Sequence, residues 1–306
     1  MADNDSVLAA AEAWKGDRLA LATVVSTWGS APRSRGSHML VHADGRFEGS
    51  VSGGCVESDI LATAAEVIAG APFQVKTYGV ADDAAWEVGL PCGGEIAVMV
   101  QPVSAEGFDP ELFDRIAEAR VRGDALTVNT DLDSGHSDLR PAEGAVFANR
   151  YDPPRRLLIV GAVQIAQSLA ALAHTLGIDT VVIDPRARFL TEERFPGTTL
   201  DDRWPDEAVA AYAPGPATAV VTLSHDTKID DPALLAALAA PTRYVGALGS
   251  TRSHAARLGR LREAGVSEAD LARIDGPVGI SIGAIGPAEI ALSVAAAMVG
   301  AFHDQG

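Results

Sequence analysis

The sequence predicts an α/β chain in two parts: a doubly wound parallel sheet over residues 153–306, preceded by a separate α+β domain over residues 1–152. Three observations lead there. The 306 residues exceed what one hydrophobic core usually fills, and 47% hydrophobic against 21% charged residues can supply two cores. From Arg156 onward, short apolar runs alternate with segments of helical period, as βαβ units with right-handed crossovers require. Before Pro154 the order is different, with an Asp-Gly hairpin signal followed by a helix and isolated strands.

Taken in order, a polar helix from Ser6 to Lys15 leads into a buried strand, Leu19 to Val25. The turn-rich run Thr27-Trp28-Gly29-Ser30-Ala31-Pro32-Arg33-Ser34-Arg35-Gly36 follows. Strands His38 to Val41 and Phe47 to Val51 flank Ala43-Asp44-Gly45-Arg46 as a hairpin. The second of them runs into Ser52-Gly53-Gly54-Cys55, and helical period takes over from Val56 to Ala69. A strand from Glu95 to Val100 comes directly after Pro91-Cys92-Gly93-Gly94. A helix from Pro110 to Arg122, a strand from Ala125 to Asn129 and a Gly/Asp/Ser-rich stretch complete this half, with Asp152-Pro153-Pro154 as linker.

Past the linker, strand Arg156 to Val160, helix Ala162 to Leu176 and strand Thr180 to Ile183, ending in Asp184, form a first βαβ unit. Strand Ala217 to Leu223, helix Pro232 to Ala239, strand Tyr244 to Val245 and helices Arg252 to Ala264 and Pro287 to Phe302 continue the alternation. The C-terminal half is therefore Rossmann-like.

A net charge of −17 opposes non-specific binding to nucleic acid or an anionic membrane. The acidic start Met1-Ala2-Asp3-Asn4-Asp5 lacks the basic and apolar regions of a secretory signal, and no run approaches the ~20 apolar residues of a membrane span. A soluble, cytoplasmic protein is expected, and a homodimer is the base-rate expectation for its assembly. Two cysteines do not make a disulfide scaffold, so free thiols are expected.

Both cysteines stand beside Gly-Gly pairs, Gly53-Gly54-Cys55 and Cys92-Gly93-Gly94. Cys55 falls at a helix N-terminus, where exposed amides and the dipole favour thiolate, and thiolate is a soft metal or sulfur ligand. Each could instead be a small buried hydrophobe. Arg33 and Arg35 supply two guanidinium groups suited to phosphate or carboxylate. In the second half, Gly161-Ala162-Val163-Gln164-Ile165-Ala166 occupies the dinucleotide loop, with Asp184 placed for a ribose. Val163 stands where the second glycine normally lets a pyrophosphate approach, which weakens NAD(P) binding. Ser224-His225-Asp226-Thr227-Lys228 and Gly246-Ala247-Leu248-Gly249-Ser250-Thr251-Arg252 follow strands and so lie at the sheet's carboxyl edge, as a ligand cleft or as turns and helix caps.

These segments together resemble the XdhC/CoxI family over nearly the whole chain. The resemblance rests on Gly29-Ser30-Ala31-Pro32-Arg33, Gly49-Ser50-Val51-Ser52-Gly53-Gly54-Cys55-Val56-Glu57, Pro91-Cys92-Gly93-Gly94-Glu95, the runs Ser224 to Asp231 and Tyr244 to Arg252, and Gly283-Ala284-Ile285-Gly286-Pro287-Ala288-Glu289-Ile290-Ala291. Two positions depart from the family pattern. The family carries Gly-Ala-Gly-His where this chain has Gly161-Ala162-Val163-Gln164, and a glutamate where it has Ala297.

The resemblance implies a molybdenum-cofactor chaperone rather than a catalyst, one that binds a molybdopterin-type cofactor during sulfuration and passes it to a molybdenum hydroxylase of the xanthine dehydrogenase type. Its partners would be the apoenzyme and a sulfur-donating cysteine desulfurase. Cys55 and Cys92 would then meet the metal. Gly53, Gly54, Gly93, Gly94, Arg33, Arg35, Gly161, Asp184, His225, Gly249, Ser250 and Arg252 would line the cofactor site. The alternative is an NAD(P)-dependent oxidoreductase with Asp184 on the ribose and His225 or Lys228 as acid/base.

Overall fold

The computed structural model describes residues 4–79, 94–140, 144 and 146–303, and the chain divides into two units, Met1–Pro153 and Pro154–Gly306. The first unit contains α1 (Asp5–Ala13), β1 (Leu19–Trp28), β2 (His38–His42), β3 (Phe47–Gly49), α2 (Glu57–Ile68), β4 (Gln74–Tyr78), β5 (Glu95–Pro102), α3 (Glu111–Arg122), β6 (Leu126–Asp131), β7 (Ser137–Asp138) and β8 (Val146–Tyr151). Its larger sheet has the order β3-β2-β1-β5-β4 with every pair antiparallel, and β7-β6-β8 form a smaller one.

β1 reads as an uninterrupted apolar run because it is covered on both faces. Ala20, Ala22 and Val24 pack with Ile60, Ala64 and Val67 of α2, while Leu19 and Leu21 pack with Val7 of α1 and Ile116 of α3. A register shift between Val24 and Ser26 carries β1 on to Trp28, three residues beyond the expected strand. β4 and β8 were not expected from the sequence, nor was β7. They fall in segments whose polar residues mask the alternation: β4 is an edge strand whose Val75 is exposed.

A polar network ties β2 to β8. The His38 ring stands 2.9 Å from Thr23 Oγ1 through Nδ1 and 2.6 Å from the Tyr151 hydroxyl through Nε2, and Asn149 Nδ2 lies 3.1 Å from Nε2. Burial pulls the His38 pKa down to about 4. The imidazole is therefore neutral at pH 7.

The second unit contains β9 (Arg156–Val160), α4 (Gln164–Thr175), β10 (Asp179–Ile183), β11 (Thr199–Asp201), α5 (Pro205–Ala211), β12 (Thr218–Thr222), α6 (Thr227–Leu238), β13 (Tyr244–Ala247), α7 (Thr251–Glu263), α8 (Glu268–Leu271), β14 (Ile274–Asp275) and α9 (Pro287–His303). Its six strands are all parallel in the order β11-β10-β9-β12-β13-β14, the doubly wound arrangement. Alternate residues of β9 serve opposite layers. Leu157 and Ile159 pack with Leu169 of α4 and Val294 and Met298 of α9, whereas Leu158 and Val160 pack with Val209 of α5 and Ile229 and Leu234 of α6.

α6 starts five residues earlier than the proline at position 232 suggested. Asp226 caps the helix by accepting from the Lys228 amide at 3.0 Å, and the first turn buries Ile229 and Asp230, so Pro232 is carried inside the helix. The short β11, α5, α8 and β14 were also unforeseen.

Candidate functional site

The cysteine loop lies at the end of the first unit's sheet where β3 runs out and α2 begins. Gly53 and Gly54 both hold positive φ, +77° and +117°, and a Cβ on either would meet nothing, so the requirement there is conformational. Cys55 is exposed, which removes the buried-hydrophobe alternative for it.

The amides around Cys55 have a different use from the one expected. Glu57 Oε1 accepts from the Ser50 hydroxyl at 2.6 Å and the Ser52 amide at 2.9 Å, and Oε2 accepts from the Gly54 amide at 2.8 Å, the Val56 amide at 3.2 Å and the Ser52 hydroxyl. Gly53 N donates to Ser50 Oγ at 2.8 Å, and Cys55 N donates to Ser52 Oγ at 2.9 Å. Every amide from Ser52 to Val56 is thus taken by a side chain of the loop itself. None is left as a donor for a thiolate or a ligand phosphate. Burial pushes the Glu57 carboxyl up, but the Ser50 and Ser52 hydroxyls and the loop amides outweigh it and hold its pKa at about 2. The loop is a rigid mount for the thiol rather than an anion cradle.

Two further predicted segments reach the same end of the sheet. Ala31 packs against the cluster that contains Val51 and Val56, and a Cβ on Gly94 would stand 2.5 Å from Ser30 O and 2.8 Å from Trp28 O. Gly94 is therefore needed for close passage against β1. Arg33 is exposed and has no partner among the described residues. Arg35 is anchored, its Nε donating to Val25 O at 3.1 Å and its guanidinium lying 4.7 Å from the Phe147 ring centre. Cys92 and Gly93 lie outside the described residues, so the placement expected for them has no structural account.

In the second unit the dinucleotide loop is closed in on itself. Gly161 has φ +104°, and a Cβ there would come within 2.9 Å of Ser224. The Ala162 amide donates to Asp184 Oδ2 at 2.7 Å, and Arg186 donates to the same carboxylate from its amide (2.9 Å), Nε (2.8 Å) and Nη2 (2.7 Å). Asp184 is fully buried. Asp184, expected on a ribose, here has both oxygens engaged by Ala162 and Arg186, and neither faces solvent.

The other two loops do meet the carboxyl edge of this sheet. His225 takes the left-handed conformation at φ +64°, and its amide donates to Asp230 Oδ2 at 3.1 Å. The side chains of His225 and Lys228 are both exposed. Ser250 caps α7, accepting from the Ser253 amide at 3.1 Å while its own amide donates to Ser253 Oγ at 2.7 Å. A Cβ on Gly249 would press to 2.7 Å from Ser253 Oγ. Gly249 and Ser250 thus do the work of a helix start, and Arg252 stands exposed beside them.

Three residues that carry this geometry were missed in the sequence. Glu57 signals itself only as an acid in the first turn of α2. Asp230 and Arg257 are buried, and each falls in the apolar stripe of its helix, Asp230 with Ala233, Leu234 and Ala237, and Arg257 one turn before Leu261. Burial raises the Asp230 pKa and lowers that of Arg257. A cavity of about 130 Å³ opens beside them. A larger one, about 380 Å³, lies where β9, β10 and β11 begin, the opposite end from the ligand edge of such sheets, and contains none of the predicted residues.

The model of the XdhC Rossmann domain matches residues 157–298, and that of the XdhC and CoxI family matches residues 13–79. A molybdenum cofactor insertion chaperone, PaoD, from Escherichia coli (strain K12) is 31% identical over 283 residues, covering 90% of this chain and 81% of the relative. A protein from Bacillus subtilis (strain 168) named as a probable xanthine dehydrogenase subunit is 27% identical over 314 residues, covering 91% and 92%. A crystal structure described as a xanthine dehydrogenase from Bacillus halodurans superposes with a TM-score of 0.81 at 26% identity, covering 100% of this chain and 97% of that one.

Proposed function

This chain belongs to the XdhC and CoxI family, and we propose that it binds a molybdopterin-type cofactor and delivers it to a molybdenum hydroxylase of the xanthine dehydrogenase type. The observation that carries the reading is the exposed Cys55 thiol on a loop whose backbone is locked by Glu57. A structural zinc ion takes four protein ligands, and among the described residues no group of three His, Cys, Asp or Glu side chains is placed to hold a metal ion. Soft thiolate sulfur suits a metal that already carries its own chelate. When bound, the cofactor would supply molybdenum held by its dithiolene sulfurs.

The chain's own part is to present Cys55 to that metal, with Cys92 as a second sulfur and Arg33 as the open cation for the cofactor's phosphate. Maturation on this protein includes sulfuration, with a cysteine desulfurase as sulfur donor and the hydroxylase apoenzyme as recipient, in the cytoplasm. The relatives' names support the maturation role, one being a cofactor insertion chaperone and the other a component of xanthine dehydrogenase.

Molybdenum and pterin content of purified Cys55→Ala, Cys92→Ala and the double variant tests the reading. The expected result is a several-fold loss of both with unchanged thermal unfolding. Undiminished cofactor in the folded double variant removes the thiols from the proposal.

A further inference from the structure

Arg156 and Asp179 are the first residues of the paired strands β9 and β10, and they stand opposite each other in the register. Side chains alternate along a strand, so Arg156 shares a face with Leu158 and Val160, and Asp179 shares one with Val181 and Ile183. Those four apolar residues belong to one cluster, packed with Val209 of α5 and Leu234 of α6. The two charged residues are therefore cross-strand neighbours on a single face of the sheet, the arrangement in which opposite charges attract. They do not join. Among the described residues neither side chain makes a hydrogen bond or an ion pair, and the Arg156 guanidinium lies instead 6.0 Å from the Tyr212 ring centre. Nearby acids behave differently: Asp201 on β11 holds Arg203 through hydrogen bonds of 3.0, 3.1 and 2.5 Å, and Asp184, just past the far end of β10, holds Arg186.

Both residues border the cavity of about 380 Å³ at the start of β9, β10 and β11. That volume falls within the roughly 300–1,000 Å³ of small-molecule pockets. Ile178 and Val181 give it apolar wall, and Thr199, which pairs with Val181, brings a hydroxyl to the same face of the sheet. His174 adds an imidazole from the last turn of α4. Gly197 also borders the space, and a Cβ there would meet nothing.

Charge selects the class of ligand. A plain anion drawn to Arg156 would meet the Asp179 carboxylate beside it, and a plain cation drawn to Asp179 would meet the guanidinium. A small molecule with both signs a few bonds apart satisfies the two together. The guanidinium fork matches a carboxylate, and the Asp179 oxygens accept from an ammonium group. We propose that this cavity binds a free α-amino acid as its zwitterion, the carboxylate on Arg156 and the ammonium on Asp179, with the side chain toward Ile178 and Val181. The site lies wholly in the second unit and does not depend on the cysteine-loop reading.

Calorimetric titration of the full chain with L-leucine and L-alanine tests it, beside isocaproate, which is leucine without its amine, and isoamylamine, which is leucine without its carboxylate. Saturable binding of at least one amino acid below about 1 mM is expected, with isocaproate and isoamylamine about ten-fold weaker or more. Binding of neither amino acid overturns the proposal, and so does isocaproate or isoamylamine binding as tightly as leucine. Arg156→Gln and Asp179→Asn should each weaken amino-acid binding about ten-fold with thermal unfolding unchanged. Undiminished affinity in either folded variant overturns the assignment, and if Arg156→Gln fails to fold, Asp179→Asn, at an exposed position, decides.

Discussion

Replacing Glu57 by glutamine keeps the side chain's size and removes the charge on which the Cys55 loop is folded. Three of its five donors sit on buried residues, two on Ser52 and one on Val56, whereas Gly54 is exposed and can turn to water. Val56 N also keeps its bond to Ser52 Oγ at 2.9 Å. The loss is therefore concentrated at Ser52, and a charge-assisted bond weakened to a neutral one there costs about 1–2 kcal/mol. The pKa gives the same size. A fall from 4.5 to about 2 corresponds to ~3 kcal/mol, which partial exposure of Glu57 cuts roughly in half. Because the folded pKa is depressed, this stability is fully present above pH 4.5 and is lost as the pH falls through about 2. At pH 7, amide hydrogen exchange at Ser52 and, to a lesser extent, Val56 should quicken in Glu57→Gln, by about 5- to 30-fold at Ser52, with α9 amides unchanged. Alkylation of Cys55 by a bulky maleimide, which samples the same loosened loop, should change in parallel. Exchange at Ser52 and Val56 equal to that of the parent would refute the clamp.

Two other consequences concern stability. His38 has a folded pKa of about 4 against 6.5 in the unfolded chain, so its contribution, about 3 kcal/mol, is complete above pH 6.5 and is lost as the pH falls toward 4. Urea unfolding of the first unit at pH 7 and pH 4.5 measures it, and an imidazole resonance of His38 titrating near 6.5 contradicts it. Gly161→Ala forces a Cβ against Ser224 at φ +104°, and should cost about 2–4 kcal/mol in chemical denaturation of the second unit; a loss below 1 kcal/mol would show that the loop relaxes.

How much of this was legible in the sequence depends on where each residue's partners lie. β9 could be read to the residue because a parallel strand buried on both faces is a plain apolar run. β11 and β14, three and two residues long, carry no period at all. The doubly wound sheet followed from alternation, but α6 was placed late because the local rule for Pro232 lost to the cap at Asp226 and the burial of Ile229. At the cysteine loop the glycines and the thiol were visible, while the destination of the amides was not. Spacing places Glu57 in the first turn of a helix, and only the fold decides that it bends back over Ser50 and Ser52. Asp230 and Arg257 were hidden for a related reason: a charged residue in an apolar stripe gains meaning only once its partners, or their absence, are known.

The nicotinamide alternative meets a similar set of hydrogen bonds in the second unit. A dinucleotide in a doubly wound sheet depends on amides at the first βα turn and on an acidic residue for the ribose. Here the Ala162 amide and Asp184 are bonded to each other at 2.7 Å, and Arg186 occupies the remaining lone pairs of the carboxylate. Binding in the usual pose would have to break that set and move Val163 aside. A charge-assisted hydrogen bond contributes about 1.5–3 kcal/mol, so giving up even one contact of this kind without replacement weakens binding roughly ten- to hundred-fold. Nicotinamide fluorescence titrated with the protein should accordingly show no saturation in the micromolar range for NADH or NADPH. Saturable micromolar binding would mean that the Asp184–Arg186 pair opens for ligand, and Arg186→Ala should then tighten NADH binding by freeing the carboxylate, whereas in a chain that does not use the dinucleotide the substitution leaves the titration flat.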